Sequence, residues 1–302
     1  QGDHQQRREK FYLYHPCRLR FDGGILFFKH VGAYVFMEEK KAIISLRNVT
    51  KYFEGSKVID NVTFDIYRGE TFVIMGCSGS GKSTLLRIIT GIIKPDEGSV
   101  IVKNKNISTL NAAELDELRK TFGMLFQYSA LLDSMSVHDN VALPIKEHTK
   151  LEDNIINIIV KLKLSLVGLR GYEEHFPSQI SGGMRKRVGL ARAIALDPDI
   201  VFYDEPTSGL DPVVGGVIDK LIMDLSKKLL ITSVVVTHDM QSVFRIADRV
   251  AMVHKGSIVE VGTPKEIQSS TNPLVKQFIN GSAEGPIDLF KEDINILDEL
   301  SG

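Results

Sequence analysis

Apolar residues along this chain come in two rhythms. From Ala42, the runs AIISLRNV and KVIDNVTFDI read as short strands, followed by TFVIM between Gly69 and Gly76. That last run, Thr71 to Met75, is continuous enough for a strand buried on both faces. The segment KSTLLRIITGII then puts Leu85, Leu86, Ile88, Ile89, Ile92 and Ile93 on one wide helical face, with Pro95 and Gly98 expected to end it. Two more apolar runs, DIVFYDE and TSVVVTHD, each end in acid or histidine and have helical patterns between them. Buried strands separated by helices predict a parallel sheet covered on both faces, with ligands held at the carboxyl ends of its strands. The stretch from about Tyr128 to Leu196 carries no strong strand signal and reads as mostly helical.

Composition narrows the class only slightly. Over 302 residues the formal net charge is −1, so nothing draws the whole surface toward nucleic acid and any anion site must be local. The two cysteines, Cys17 and Cys77, lie far apart and make no metal-ligand spacing, which fits a reducing compartment. The most apolar stretch, GGILFFKHVGAYVFM, is interrupted by Lys29 and His30 and is shorter than a membrane span of about 18 residues or more. Any work at a membrane is therefore expected to go through a partner. Residues 1–36 differ in texture from the rest of the chain, and Met37 is the expected natural start. The preceding segment is then an upstream translation or a disordered extension, with a targeting or membrane-surface segment as the rival reading. At the other end, GSAEGPIDLFKEDINILDELSG opens as a linker and then spaces Ile287, Phe290, Ile294 and Leu297 as a helix would.

The chemistry begins at GCSGSGKS, Gly76 to Ser83, which matches G-x-x-x-x-G-K-[ST] between an expected strand and an expected helix. Gly76, Gly79 and Gly81 let backbone N–H groups turn inward, and the helix starting near Lys82 adds its positive end. Lys82 can reach the outer phosphates of a nucleoside triphosphate, and the Ser83 hydroxyl can ligate Mg²⁺. Asp204 and Glu205 close the run IVFYDE, where the first acid suits the metal shell and the second can polarise a water. His238 ends SVVVTHD at the same edge, where it can contact the terminal phosphate. Ser181, Gly182 and Gly183 open another helix, which is a second anion-binding terminus in one chain. Two half-sites make sense if two copies meet head to tail.

Taken together, these motifs resemble the ATP-binding subunit of ABC transporters, over about residues 42–261. The resemblance implies an α/β fold: a RecA-like P-loop NTPase core with an antiparallel β subdomain and an α-helical signature subdomain at about 128–196. The ATPase domain would run over 37–261, and a C-terminal tail over 262–302 would contact the second ATPase copy. It implies an ATP site made of Phe53, Gly76, Cys77, Ser78, Gly79, Ser80, Gly81, Lys82, Ser83, Thr84, Gln127, Ser181, Gly182 and Gly183. Phe53 would stack on adenine, with Tyr52 as the fallback. Ser83, Gln127 and Asp204 would hold Mg²⁺, while Lys82, Glu205 and His238 would carry catalysis. Met184 stands where the common signature has Gln, but the serine and the glycine N–H groups should carry most of the phosphate contact.

QYSALLDSMSVHDNVALPIKEHT, from Gln127 to Thr149, has a mixed texture that the same resemblance accounts for, because this segment faces the membrane subunit in such proteins. Tyr128, Leu131, Leu132 and Met135 would line an apolar groove, with Asp133, His138, Asp139, Glu147 and His148 on its rim. Ordinary helical-subdomain core is the plain alternative. With SGGMRKRVGLARAIA and GLDPVVGGVIDKLI, the segment is similar to the Mla/Mce-type branch, which powers phospholipid transport between membranes. The expected partners are a second copy, membrane permease subunits and, through them, an Mce-domain lipid-binding protein. No nucleic acid is expected. The expected place is the cytoplasmic face of the inner membrane. An amino-acid or methionine importer subunit is the alternative within the class. Soluble ABC ATPases of DNA repair would insert long coiled coils, and those of translation carry two phosphate loops where this chain has one.

Overall fold

The computed structural model describes residues 41–287, together with the strand backbone of three short N-terminal segments. Those segments, β1 (Arg20–Phe21), β2 (Gly24–Phe28) and β3 (Ala33–Phe36), form an antiparallel meander within the stretch expected to be an extension. Cys17, Met37, Phe290, Ile294 and Leu297 lie outside the described residues, and with them the expected helical tail.

The main unit begins with two long antiparallel strands, β4 (Ala42–Phe53) and β5 (Ser56–Tyr67). Next come β6 (Thr71–Met75) and α1 (Lys82–Ile89), then β7 (Glu97–Val102) and β8 (Lys105–Asn106), which complete a four-stranded antiparallel sheet in the order β5-β4-β7-β8. Helix α2 (Ala112–Arg119) leads to β9 (Phe122–Leu125). A helical stretch comes next: α3 (Val137–His148), α4 (Asp153–Leu166) and α5 (Gly182–Ala193). The chain then alternates through β10 (Ile200–Asp204), α6 (Pro212–Leu229), β11 (Thr232–Thr237) and α7 (Met240–Ile246). It ends on the hairpin β12 (Arg249–His254) and β13 (Ser257–Gly262), with α8 (Pro264–Gln268) and α9 (Pro273–Asn280) after it.

The second sheet has the order β13-β12-β6-β11-β10-β9, and every pairing in it is parallel except the β12–β13 edge. Successive side chains of a strand point to opposite faces, and both faces here are buried. Val73, Met75, Val201, Tyr203 and Val235 pack into a core shared with the helical stretch. Phe72, Ile74, Ile200, Phe202, Val234 and Val236 pack on the other side with α1 and the antiparallel sheet. This double burial is why these strands read as unbroken apolar runs. Ile267, Val275 and Ile287 join the first of the two cores, so residues 262–287 pack onto it.

One sequence expectation is corrected. The first helix stops at Ile89 rather than running on toward Pro95. Gly91 takes a left-handed φ of 73°, the usual helix stop, and Ile92 beyond it is 54% exposed rather than on the buried face.

Close backbone approach sets the β9 edge that leads into Gln127. A Cβ on Gly123 would stand 2.2 Å from the carbonyl oxygen of Ala193 at the end of α5. Gly123→Ala should therefore force the two elements apart and lower stability by about 1–3 kcal/mol, read as a shifted midpoint in chemical denaturation. An unshifted midpoint would show that this approach does not constrain the fold.

Candidate active site

Between β6 and α1 the chain turns on three glycines with positive φ: 152° at Gly76, 75° at Gly79 and 102° at Gly81. Backbone also closes the space at two of them: a Cβ on Gly76 would come within 2.2 Å of the Val253 carbonyl oxygen, and one on Gly81 within 3.0 Å of the Val58 carbonyl oxygen. Helix α1 starts without a side-chain cap or an acid in its first turn. Its first bond runs from the Leu85 N–H to the Gly81 carbonyl at 2.8 Å, which leaves the amides of Lys82, Ser83 and Thr84 for a ligand. The Ser80 hydroxyl is buried with no partner among the described residues. Lys82 is buried, and its ammonium donates to the carbonyls of Gly76 and Cys77, both at 2.8 Å. Burial lowers its pKa below the ordinary lysine value, with Glu205, Cys77 and Asp204 acting the other way. Glycine cradle, uncapped helix start, orphaned hydroxyl and pinned ammonium together fit a polyphosphate.

Both acids arrive at the end of β10, which β11 separates from β6 in the sheet. The Ser83 hydroxyl donates to the Asp204 carboxylate at 3.3 Å, so two of the three residues expected to hold Mg²⁺ stand side by side. Burial pushes the Asp204 carboxyl above its usual range, partly offset by the Ser83 bond. Among the described residues no group of three His, Cys, Asp or Glu side chains assembles, so a metal here would take further oxygens from the nucleotide and water. Glu205 bonds through one carboxylate oxygen to His238 Nδ1 at 2.8 Å and accepts from the Thr237 hydroxyl at 3.3 Å through the other. Its backbone is left-handed at φ 47°, a conformation worth about 1–3 kcal/mol of strain that surrounding bonds must hold. A cleft of about 370 Å³ opens beside this pair, lined by Glu205, Thr207, Ser208, Gly209, His238 and Asp239.

The remaining expected residues lie around this centre. Gln127 follows β9 and its amide donates to the Ser208 hydroxyl at 3.4 Å. Phe53 is 42% exposed and Tyr52 37%, each with a lysine ammonium over its ring, Lys51 at 5.5 Å and Lys57 at 5.8 Å from the centroid. Asp96 fixes their strand end, accepting from the Tyr52 N–H at 2.6 Å and from Lys51 at 2.9 Å. Ser181 caps α5 by accepting from the Met184 N–H at 3.2 Å. Among the described residues no hydrogen bond joins Ser181, Gly182 or Gly183 to the phosphate loop.

Three residues outside the expected set hold these parts in place. Lys186, on α5 and only 4% exposed, donates to the carbonyls of Gln127 and, at 3.2 Å, of Glu205. Arg192 donates to the carbonyls of Ser129 at 2.6 Å and Ala130 at 2.7 Å, which holds two consecutive left-handed residues just beyond Gln127. Asn140, fully buried, accepts from the Leu132 N–H and donates to the carbonyls of Leu132, Met135 and Ser136. Nothing in the sequence marked the first two, whose partners are backbone carbonyls. Over this scaffold Tyr128 is 86% and Leu132 43% exposed, whereas Leu131 turns toward the core. His138 bonds Asn157 and Asp139, while Asp133, Glu147 and His148 are exposed.

Residues 59–208 match the family model described as ABC transporter. The chain is 44% identical over 246 residues to the intermembrane phospholipid transport system ATP-binding protein MlaF of Haemophilus influenzae, covering 81% of this chain and 93% of the relative. The chain belongs to the ABC transporter ATP-binding family. It is also 43% identical to MlaF of Escherichia coli K12, over 83% of this chain and 94% of that one. A probable ribonucleotide transport ATP-binding protein, mkl of Mycobacterium leprae, is 43% identical over 82% of this chain and 72% of its own length. Among solved structures, the ATP-binding cassette MJ0796, described as a dimer in a post-hydrolysis state bound to ADP and Pi, superposes with a TM-score of 0.68 at 34% identity. It covers 73% of this chain and 98% of that one. The fold is accordingly that of a P-loop ABC ATPase, and the activity of the family is ATP hydrolysis.

An ABC ATPase needs a positive charge at the outer phosphates. Lys82→Ala would remove a charge-assisted contact of about 1.5–3 kcal/mol in binding alone, and with the loss of transition-state charge stabilisation it should cut hydrolysis about a hundredfold or more. Phosphate release at saturating ATP measures it, and near-normal release would overturn the assignment of Lys82.

Proposed function

We propose that this chain is the ATP-hydrolysing subunit of a membrane transporter that moves phospholipid between membranes. The observation that carries this reading is its 43–44% identity to the MlaF proteins across 93–94% of their length. The mkl relative, named for ribonucleotide transport, matches over only 72% of its own length, so its cargo name weighs less. The amino-acid or methionine importer alternative gains nothing from these relatives.

In this reading two copies meet head to tail. Ser181, Gly182 and Gly183 of one copy, at the N-terminus of α5, close over the nucleotide held by Gly76–Thr84 of the other. Phe53, or Tyr52 beside it, offers the face on which adenine stacks. Mg²⁺, held by Ser83, Asp204 and Gln127, would supply Lewis-acid polarisation of the phosphate oxygens. Lys82 balances charge on the outer phosphates. Glu205, oriented by the hydrogen bond to His238, accepts the proton of the attacking water, while His238 steadies the terminal phosphate.

The segment from Gln127 to Thr149 faces the permease. Support comes from the exposed Tyr128 and Leu132, presented on a loop that Arg192 and Asn140 fix in shape. Among the described residues no helix is long and apolar enough to cross a membrane, so attachment at the cytoplasmic face would be peripheral and through the permease. An Mce-domain lipid-binding protein would join through that permease. The C-terminal tail over 262–302 is proposed to contact the second copy.

Two measurements test the reading. Glu205→Gln should slow turnover about a hundredfold and leave ATP-bound dimers that persist on size exclusion; normal turnover would show that another group serves as base. An affinity pull-down from detergent-solubilised native membranes, followed by mass spectrometry, should recover a permease and an Mce-domain protein. Recovery of a permease with a small-molecule binding protein would replace phospholipid with an importer cargo.

A further inference from the structure

Lys186 is a buried cation whose hydrogen bonds all end on main chain. It is 4% exposed, and among the described residues no carboxylate forms an ion pair with it. An ammonium held only by carbonyl dipoles is costly to bury, and an apolar chain of the same length would fill the space at less cost. Burial also lowers its pKa, against the pull of Glu205 and Asp204. What the charge secures is positional. One bond ends on the carbonyl of Gln127, the residue that follows the β9 edge. The other ends, at 3.2 Å, on the carbonyl of Glu205, whose φ of 47° is left-handed.

The Glu205 N–H is bonded to the Val236 carbonyl at 2.9 Å and its carbonyl accepts from the Ser208 N–H at 3.2 Å, so Lys186 adds a third backbone anchor to a strained residue, and the one that ties it to α5. A further link joins the same two loops, from the Gln127 amide to the Ser208 hydroxyl, three residues past Glu205, at 3.4 Å. Lys186 itself rides on α5, five residues after Ser181, which caps that helix. One rigid helix therefore connects the terminus offered to a second copy with the backbone of both loops.

We propose that Lys186 is a positioning residue for ATP hydrolysis: its ammonium joins the Gln127 backbone to the Glu205 backbone, so that the metal-side glutamine and the water-activating carboxylate are set as one unit. The proposal rests on Gln127 as a metal-side residue and Glu205 as the base. A positioning role moves the chemical step and leaves nucleotide affinity alone, whereas a general packing role would lower stability without that division.

The test compares the full-length protein with Lys186→Met, which fills the space without donors, and Lys186→Gln, whose amide offers two N–H groups without charge. Thermal melting and ATP binding show which variants are folded. Lys186→Met should lower kcat about fivefold or more with KM within about twofold, and Lys186→Gln should stay within about fivefold of the parent. The proposal is overturned by a Met variant that keeps kcat within that fivefold, by a loss that appears in KM, or by a folded Gln variant slower than that limit. If Lys186→Met does not fold, Lys186→Gln decides alone by the same limit. Glu205→Gln, assayed alongside, separates the two ideas: normal turnover there removes the role of Glu205 itself, and a slow Glu205→Gln with a fast Lys186→Met removes only that of Lys186.

Discussion

Parallel pairing sets Asp204 opposite Val236 and Thr237 opposite Met75, so three neighbouring strands end at one level. The residues just past those ends are Gly76, Glu205 and His238. No flexible loop has to search for the others, because the strand ladder has already fixed their separation. The bonds from Ser83 to Asp204 and from Glu205 to His238 are consequences of that register. A slip of one residue would turn each side chain to the opposite face and disperse the site. Burial of both sheet faces is what makes such a slip costly.

Around that ladder, α5 acts as a strut. Its N-terminus presents Ser181 to Gly183, and one stripe along it carries Lys186, Gly189 and Arg192. Lys186 and Arg192 bond backbone carbonyls from Gln127 to Ala130, and Gly189 lets Leu125 and Ser129 approach closely. A Cβ on Gly189 would come within 2.8 Å of the Leu125 side chain and 3.2 Å of Ser129 Cβ. Burial also lowers the pKa of Arg192, yet the guanidinium keeps five donors in a fixed fork suited to two adjacent carbonyls. Charge here shapes backbone rather than pairing with acid. The exposed Tyr128 sits at the end of this arrangement, so nucleotide chemistry and the outward surface share one mechanical support.

The same construction explains why cargo is the hardest property to read. Every role proposed at the site concerns phosphate, metal or water, and none concerns a transported molecule. Relatives of nearly equal identity carry phospholipid and ribonucleotide names. The difference between them must lie in the subunits the ATPase drives and in the surface it shows them.

Much of the site was legible in the chain because its chemistry is local. A phosphate cradle needs glycines at set intervals and a lysine one residue on, and a metal shell needs an acid at a strand end. Those demands act on adjacent residues, so Gly76–Ser83, Asp204, Glu205 and His238 could be proposed from motif spacing and strand-end placement, while Thr84 came with the family resemblance. The stop of α1 at Ile89 was less visible, because a left-handed Gly91 ended a helix whose apolar period continued past it. Tertiary structure alone decided what Lys186, Arg192 and Asn140 do. Their partners are backbone carbonyls and amides, which every residue carries and no sequence pattern marks, and for Lys186 those partners stand 59 and 19 positions away. Which carbonyl a buried cation meets depends on how α5 packs across β9 and β10, and that is a property of the whole core.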